Sequence, residues 1–212
     1  MAGKLIVIEG SDASGKATQA KLLAERFEKE GQEAELIAFP RYETFSGSLV
    51  KKYLTGDFGS LEELPPEFPS LLYALDRYDA AKSIKGAISQ GKIVVADRFT
   101  ASNIAHQAVK LPKEEQQGFI EWLTCVESRL PQPAVTVYLD VPVEISQGLM
   151  DKEGRERDLH EQNPAFLKRA QDIYLSLAKQ SSWEKIDCVA DEKLLSIEEI
   201  HELVWKAVEK HL

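Results

Sequence analysis

Lys16 closes the run Gly10-Ser11-Asp12-Ala13-Ser14-Gly15-Lys16, which has the spacing GxxxxGK. Glycines let backbone N–H groups turn inward around phosphate oxygens. A helix N-terminus behind such a loop adds its dipole, and the lysine reaches the outer phosphates. The chemistry in view is nucleotide-phosphate binding, against the plain reading of a glycine-rich turn that carries a lysine. Ala17 follows where this motif places a Ser or Thr to hold Mg2+. Thr18 comes one position late, about 100° further round a helix. The metal is therefore expected to be held by nucleotide oxygens, water and a carboxylate from elsewhere in the chain.

Val94-Val95-Ala96-Asp97 supplies such a carboxylate after an apolar run, and Arg98 follows it. A hydrolase would often have a glutamate here to activate water. Arginine is no base at neutral pH but clamps a phosphate bidentately. The pair thus favours transfer to an anionic acceptor over hydrolysis, with a structural ion pair as the alternative. No NKxD guanine-reading motif is present, which weighs against a GTPase. Arg41 also follows an apolar run, and Arg155 and Arg157 sit together in Gly154-Arg155-Glu156-Arg157. Tyr73 and Arg77 are four residues apart and share one helical face. A ring to stack on and a guanidinium for carbonyl oxygens suit a nucleobase.

These residues need elements to hold them. Leu5–Ile8 reads as a buried strand, with further strands at Glu35–Phe39, Lys92–Ala96, Val135–Val141 and Ile186–Val189. Helices are expected at Gly15–Lys29, Pro69–Gln90, Thr100–Ala108, Lys113–Leu130, Val143–Met150, Pro164–Gln180 and Ser196–Lys210. Alternation of strand and helix predicts an α/β fold of three layers, a parallel sheet flanked by helices. Ligands then bind beyond the carboxyl ends of the strands, where Glu9–Thr18, Phe39–Arg41, Asp97–Phe99 and Asp140–Val141 fall.

The 212 residues suggest one domain spanning 1–212. Lys and Arg number 26 against 35 Asp and Glu, a net charge of −9. That balance argues against a nucleic-acid partner, which a broad basic face would grip. Cys125 and Cys188 make neither a zinc pattern nor a disulfide framework. No apolar run has the length of a membrane span, and the expected address is the cytoplasm.

Taken together, Glu9 to Gln19, Phe39-Pro40-Arg41-Tyr42, Leu72 to Arg77, Asp97-Arg98-Phe99-Thr100-Ala101-Ser102-Asn103 and Tyr138 to Pro142 resemble the thymidylate kinases, nucleoside monophosphate kinases of the P-loop class. The resemblance runs nearly the whole chain. It implies transfer of the ATP γ-phosphoryl group to dTMP, giving dTDP and ADP in dTTP synthesis, with Mg2+ as cofactor. A five-stranded parallel sheet and a homodimer packed through helices are implied as well. By the same resemblance, Gly10, Ser11, Asp12, Ala13, Ser14, Gly15, Lys16, Ala17 and Thr18 hold ATP. Asp12, Phe39, Arg41, Tyr73, Arg77, Arg98, Ser102, Asn103 and Gln107 hold dTMP. Asp97 orients Mg2+ through water, and a short lid near residues 151–163 closes over ATP. Lys16, Asp12 and Arg98 then serve the reaction together with Arg155 and Arg157.

The chain departs from the family pattern at three places. Phe99 replaces the usual Tyr or His after Asp-Arg, and Gly148-Leu149 stands where many members have a basic pair. The phosphate loop carries no arginine, so the lid is expected to supply one. Two other readings compete. One is a kinase for another monophosphate or for a deoxynucleoside, with Glu9 or Asp97 as base. The other is a P-loop protein that binds nucleotide without turnover.

Overall fold

The computed structural model describes residues 2–60, 63–153, 163–191 and 193–212. Five parallel strands form the central sheet in the order β2-β3-β1-β4-β5: β1 (Lys4–Gly10), β2 (Ala34–Ala38), β3 (Ile93–Asp97), β4 (Val135–Asp140) and β5 (Trp183–Asp187). A two-stranded antiparallel piece, β6 (Val189–Ala190) with β7 (Lys193–Leu194), follows. β1 is central and lies between β3 and β4, with Ile8 opposite Asp97 and Gly10 opposite Leu139. The chain winds to one side of β1 through β2 and β3, then crosses to the other through β4 and β5. The carboxyl end of β1 is therefore a topological switch point, where a crevice opens.

Eight helices are described: α1 (Lys16–Lys29), α2 (Phe45–Leu54), α3 (Glu67–Ser89), α4 (Thr100–Ala108), α5 (Lys113–Glu127), α6 (Val143–Glu153), α7 (Pro164–Leu177) and α8 (Ile197–Glu209). Alternation along β1 sends its side chains both ways. Ile6 and Ile8 pack with Leu23 and Phe27 of α1 and with Val204 and Trp205 of α8. Leu5 and Val7 pack with Ala80, Ala81, Ile84 and Ala87 of α3. The alanines let this long helix lie close on the sheet. A third cluster joins α4, α5 and α7 through Ala105, Leu123, Tyr138 and Tyr174. Burial of both faces explains why the central strands read as continuous apolar runs.

The expected parallel sheet and flanking helices are present, with element ends displaced by one to a few residues. α2 is an addition, since the sequence reading places no helix between Phe39 and Pro69. Its start at Phe45-Ser46-Gly47-Ser48 looks like a turn, and it is made by an N-cap: the Thr44 hydroxyl accepts from the Gly47 N–H at 3.1 Å. Among the described residues no helix is long and apolar enough to cross a membrane. Cys125 and Cys188 are both unpaired.

Candidate active site

The phosphate loop leaves β1 at the switch point. Ala13 and Gly15 take left-handed backbone angles, φ 56° and 82°. Such a path turns successive N–H groups inward. Gly15 is the N-cap of α1 and offers no side chain to the first-turn N–H groups, which stay available to an anion. Lys16 is buried, and its Nζ donates to the Ser11 carbonyl at 2.5 Å. Burial, and then the nearby Arg98, push its ammonium down to about 8. The Ser11 and Ser14 hydroxyls are buried with no hydrogen-bond partner among the described residues. Ala17 and Thr18 are exposed on α1.

β3 delivers the second group. Asp97 ends the strand, and its Oδ1 is buried with no hydrogen-bond partner among the described residues. Arg98 has φ 66°, an unusual conformation for a non-glycine residue, and its N–H donates to the Ile8 carbonyl at 3.0 Å. This turn aims the guanidinium across the crevice at Asp12 of the phosphate loop, with which it is paired. Its other arm donates to the Ser102 hydroxyl at 3.2 Å. Burial disfavours the Arg98 charge, but Asp12, Glu9 and Asp97 outweigh it and raise its pKa further, so it is a cation throughout the working pH range.

Glu9 lies beneath both groups and is fully buried. Its Oε1 accepts from the N–H groups of Phe99 at 2.8 Å and Ser102 at 3.1 Å. Its Oε2 accepts from the hydroxyls of Ser102 at 2.7 Å and Tyr174 at 3.2 Å. The carboxylate thus caps the start of α4 and ties it to β1. With both oxygens engaged in structure, Glu9 is a poor base for a hydroxyl acceptor. That weakens the deoxynucleoside-kinase reading.

A cleft of about 230 Å³ runs from Asp12 and Arg98 between α3 and α4. Phe39, Tyr73, Arg77, Ser102, Asn103 and Gln107 line it. Phe39 leans on Phe99 with ring centroids 5.7 Å apart, and Tyr73 meets Tyr53 edge-on at 6.5 Å. At the deep end, Arg77 is buried and paired with Glu127 of α5, its Nε at 2.8 Å from the carboxylate. The Asn103 amide nitrogen donates to the Ser70 carbonyl at 3.1 Å and to the same Glu127 oxygen at 3.3 Å.

Arg41, expected at the acceptor phosphate, sits beside the cleft, with its guanidinium carbon 5.9 Å from the centroid of the cleft-lining Phe39 ring. Its guanidinium turns to α3, where Nη2 lies 2.9 Å from Asp76 and 2.5 Å from Asp79, and its N–H donates to Asp76 at 2.8 Å. The two carboxylates fix the direction of that cation. The neighbouring Tyr42 lines the cleft. Arg155 and Arg157 lie outside the described residues. Sequence reasoning also missed Glu127 and the structural use of Glu9, whose partners are distant in the chain.

Among the described residues no group of three or more His, Cys, Asp or Glu is placed to hold a metal. A lone unpartnered Asp97 oxygen beside a phosphate loop instead suits a hydrated Mg2+ carried mainly by nucleotide oxygens.

Comparison with known proteins agrees with this geometry. A family model described as thymidylate kinase matches residues 8–204. A probable thymidylate kinase of Pyrococcus abyssi is 31% identical over 214 residues, covering 100% of this chain and 98% of its own. The thymidylate kinase of Plasmodium falciparum is 31% identical over 98% of this chain and 90% of its own. The human thymidylate kinase is 30% identical over 94% and 87%. Among solved structures, that of Candida albicans thymidylate kinase superposes with a TM-score of 0.82 at 25% identity, covering 100% of this chain and 94% of its own.

Proposed function

The chain belongs to the thymidylate kinase family, and from that premise we propose how its own residues perform the transfer. It is a phosphotransferase that moves the γ-phosphoryl group of ATP to dTMP, giving dTDP and ADP. One observation carries the assignment of roles. Asp12 of the phosphate loop is bonded to Arg98 of the acceptor cleft, so donor and acceptor sites share a wall.

The acceptor is already an anion, so no general base is required. The protein must bring two polyanions in line, exclude water and neutralise the moving charge. Loop residues 10–18 hold the ATP phosphates, with Lys16 on the transferring group. Arg98 and Arg41 hold the dTMP phosphate, and Tyr42 lines the same cleft. Asp76 and Asp79 orient the Arg41 guanidinium beside Phe39. Tyr73 supplies the stacking face for thymine, and Arg77, Asn103 and Gln107 meet its edge. Ser102 belongs to the Glu9 network and orients Arg98. Asp97 would help hold Mg2+ through water beside the nucleotide phosphates, and the metal would supply charge neutralisation. One arginine of Arg155 and Arg157, our choice being Arg155, takes the place of the arginine that the phosphate loop lacks.

We also propose a cytoplasmic homodimer, on the acidic balance and unpaired cysteines for the address. For the dimer, Leu71, Leu75 and Tyr78 form an exposed stripe along α3 at a spacing that puts them on one face. The test of the roles is kinetic. Arg98→Ala should raise KM for dTMP by at least about tenfold with KM for ATP little changed, as expected for loss of a charged contact to one substrate. Thymidine, which lacks the phosphate, should not be turned over. A variant with normal KM for dTMP contradicts the role given to Arg98.

A further inference from the structure

Three helices meet at one carboxylate that the cleft does not touch. Glu127 is the last residue of α5, buried, and absent from the cleft lining. Its Oε1 accepts from Arg77 Nε at 2.8 Å, from Arg77 Nη2, and from Asn103 Nδ2 at 3.3 Å. Its Oε2 has no hydrogen-bond partner among the described residues. The end of α5 is tied to α3 by Tyr78, whose hydroxyl donates to the Val126 carbonyl at 2.6 Å, and by Lys85, whose ammonium donates to the Arg129 carbonyl at 3.1 Å.

The consequence lies in the polarity of what remains. With its Nε and Nη2 edge turned to Glu127, Arg77 leaves its Nη1 end as the donor for the cleft. Asn103 gives its Nδ2 to Ser70 and Glu127, both acceptors, so its Oδ1 is the atom left over, and it is buried with no hydrogen-bond partner among the described residues. Arg77 and Asn103, which both line the cleft, therefore leave over one donor and one acceptor. A pyrimidine edge with a carbonyl next to a ring N–H matches that pair. An edge with an amino group next to an unprotonated ring nitrogen reverses it at both positions. Flipping the Asn103 amide would suit the second edge, but the flip would turn Oδ1 against the Ser70 carbonyl and against the full negative charge of the Glu127 carboxylate.

We propose that Glu127 is the positioning residue that sets base specificity, by locking Arg77 as donor and Asn103 as acceptor for a 4-carbonyl pyrimidine. This rests on the dTMP reading of the cleft and deepens it. Burial raises the Glu127 carboxyl pKa, while Arg77 and Asn103 favour its charged form. Each buried group left unpaired by the wrong base is worth about 5- to 150-fold in selectivity.

The experiment measures kcat/KM for dTMP and for dCMP in the wild type, Glu127→Leu and Glu127→Asp, with KM for ATP as control. The wild type should prefer dTMP; failure there overturns the dTMP reading itself. Glu127→Leu removes the acceptor at similar volume, so the dTMP-to-dCMP preference should fall about tenfold or more, through a higher KM for dTMP and a better dCMP reaction, with KM for ATP unchanged. Glu127→Asp keeps the charge but withdraws it by one methylene, so the preference should fall by a smaller factor, about threefold. The Asp variant carries the test if the Leu variant does not fold. A purely structural residue would lower turnover of both substrates together. An unchanged preference in either folded variant overturns the proposal.

Discussion

Lys16 shows how much one buried charge sets. Burial, and then Arg98, push its pKa down to about 8, from 10.5 for an ordinary lysine. Between those values the unfolded chain binds the proton that the folded site has lost. The free protein is therefore penalised at Lys16 near neutral pH, and the penalty fades as pH rises from about 8 to 10.5. ATP phosphates restore the charge, so binding takes up a proton in this window. The dissociation constant for ATP should be flat below pH 8 and weaken above it, by up to about tenfold per pH unit. Calorimetric titrations in two buffers of different ionisation enthalpy would show the uptake; a constant affinity from pH 7 to 9.5 contradicts the assigned burial. Lys16→Ala should retain its fold and lose about two orders of magnitude or more in kcat. Ala17→Ser should change the Mg2+ dependence only modestly, since Asp97 and water serve the metal in this account. The phosphate loop was legible because its donors are contiguous. Glu127 was not, because it gains its role only when α5 brings it to Arg77, 50 residues away, and to Asn103, 24 residues away.

The elements hold these groups through close backbone approaches that the sequence encodes weakly. Gly47 in the first turn of α2 is one. A Cβ placed there would lie 1.9 Å from the Arg41 carbonyl oxygen. The clash is with backbone, so α2 and the Pro40–Arg41 turn would have to separate. Gly47→Ala should lower stability by about 1–3 kcal/mol, as overpacking does, and raise KM for dTMP more than KM for ATP, because Phe39 and Tyr42 line the acceptor cleft while the phosphate loop sits on β1. Thermal unfolding beside steady-state kinetics checks both parts; equal effects on the two substrates would sink the argument. The reading of β1, α1, β3 and α4 succeeded because apolar runs and a glycine loop mark their ends. α2 escaped notice because its N-terminus depends on one Thr44 side chain rather than on a periodic face. α3 was visible by length, yet nothing in its spacing reveals that Asp76 pairs with Arg41. That pairing depends on two carboxylates one turn apart, Asp76 and Asp79, meeting a turn from the other side.

At the scale of the whole molecule, the fold places donor loop, acceptor arginine and base-reading helices around the end of one central strand. The net charge of −9 then matters little to binding, since the cations are gathered locally at Lys16, Arg77 and Arg98. The exposed stripe on α3 is the back of the same helix that carries Tyr73 and Arg77, so subunit pairing would bear on the site. Leu75→Glu should convert a dimer into a monomer by light scattering, and a monomeric wild type would remove that proposal without touching the chemistry. The central claim is that this cleft phosphorylates a thymine monophosphate and reads its base edge. It is tested most directly by following ADP release with ATP, Mg2+ and each of dTMP, dUMP and dCMP at one concentration range. The account predicts good turnover of dTMP and dUMP, and a kcat/KM for dCMP lower by about one to two orders of magnitude. Equal phosphorylation of dCMP and dTMP would contradict it.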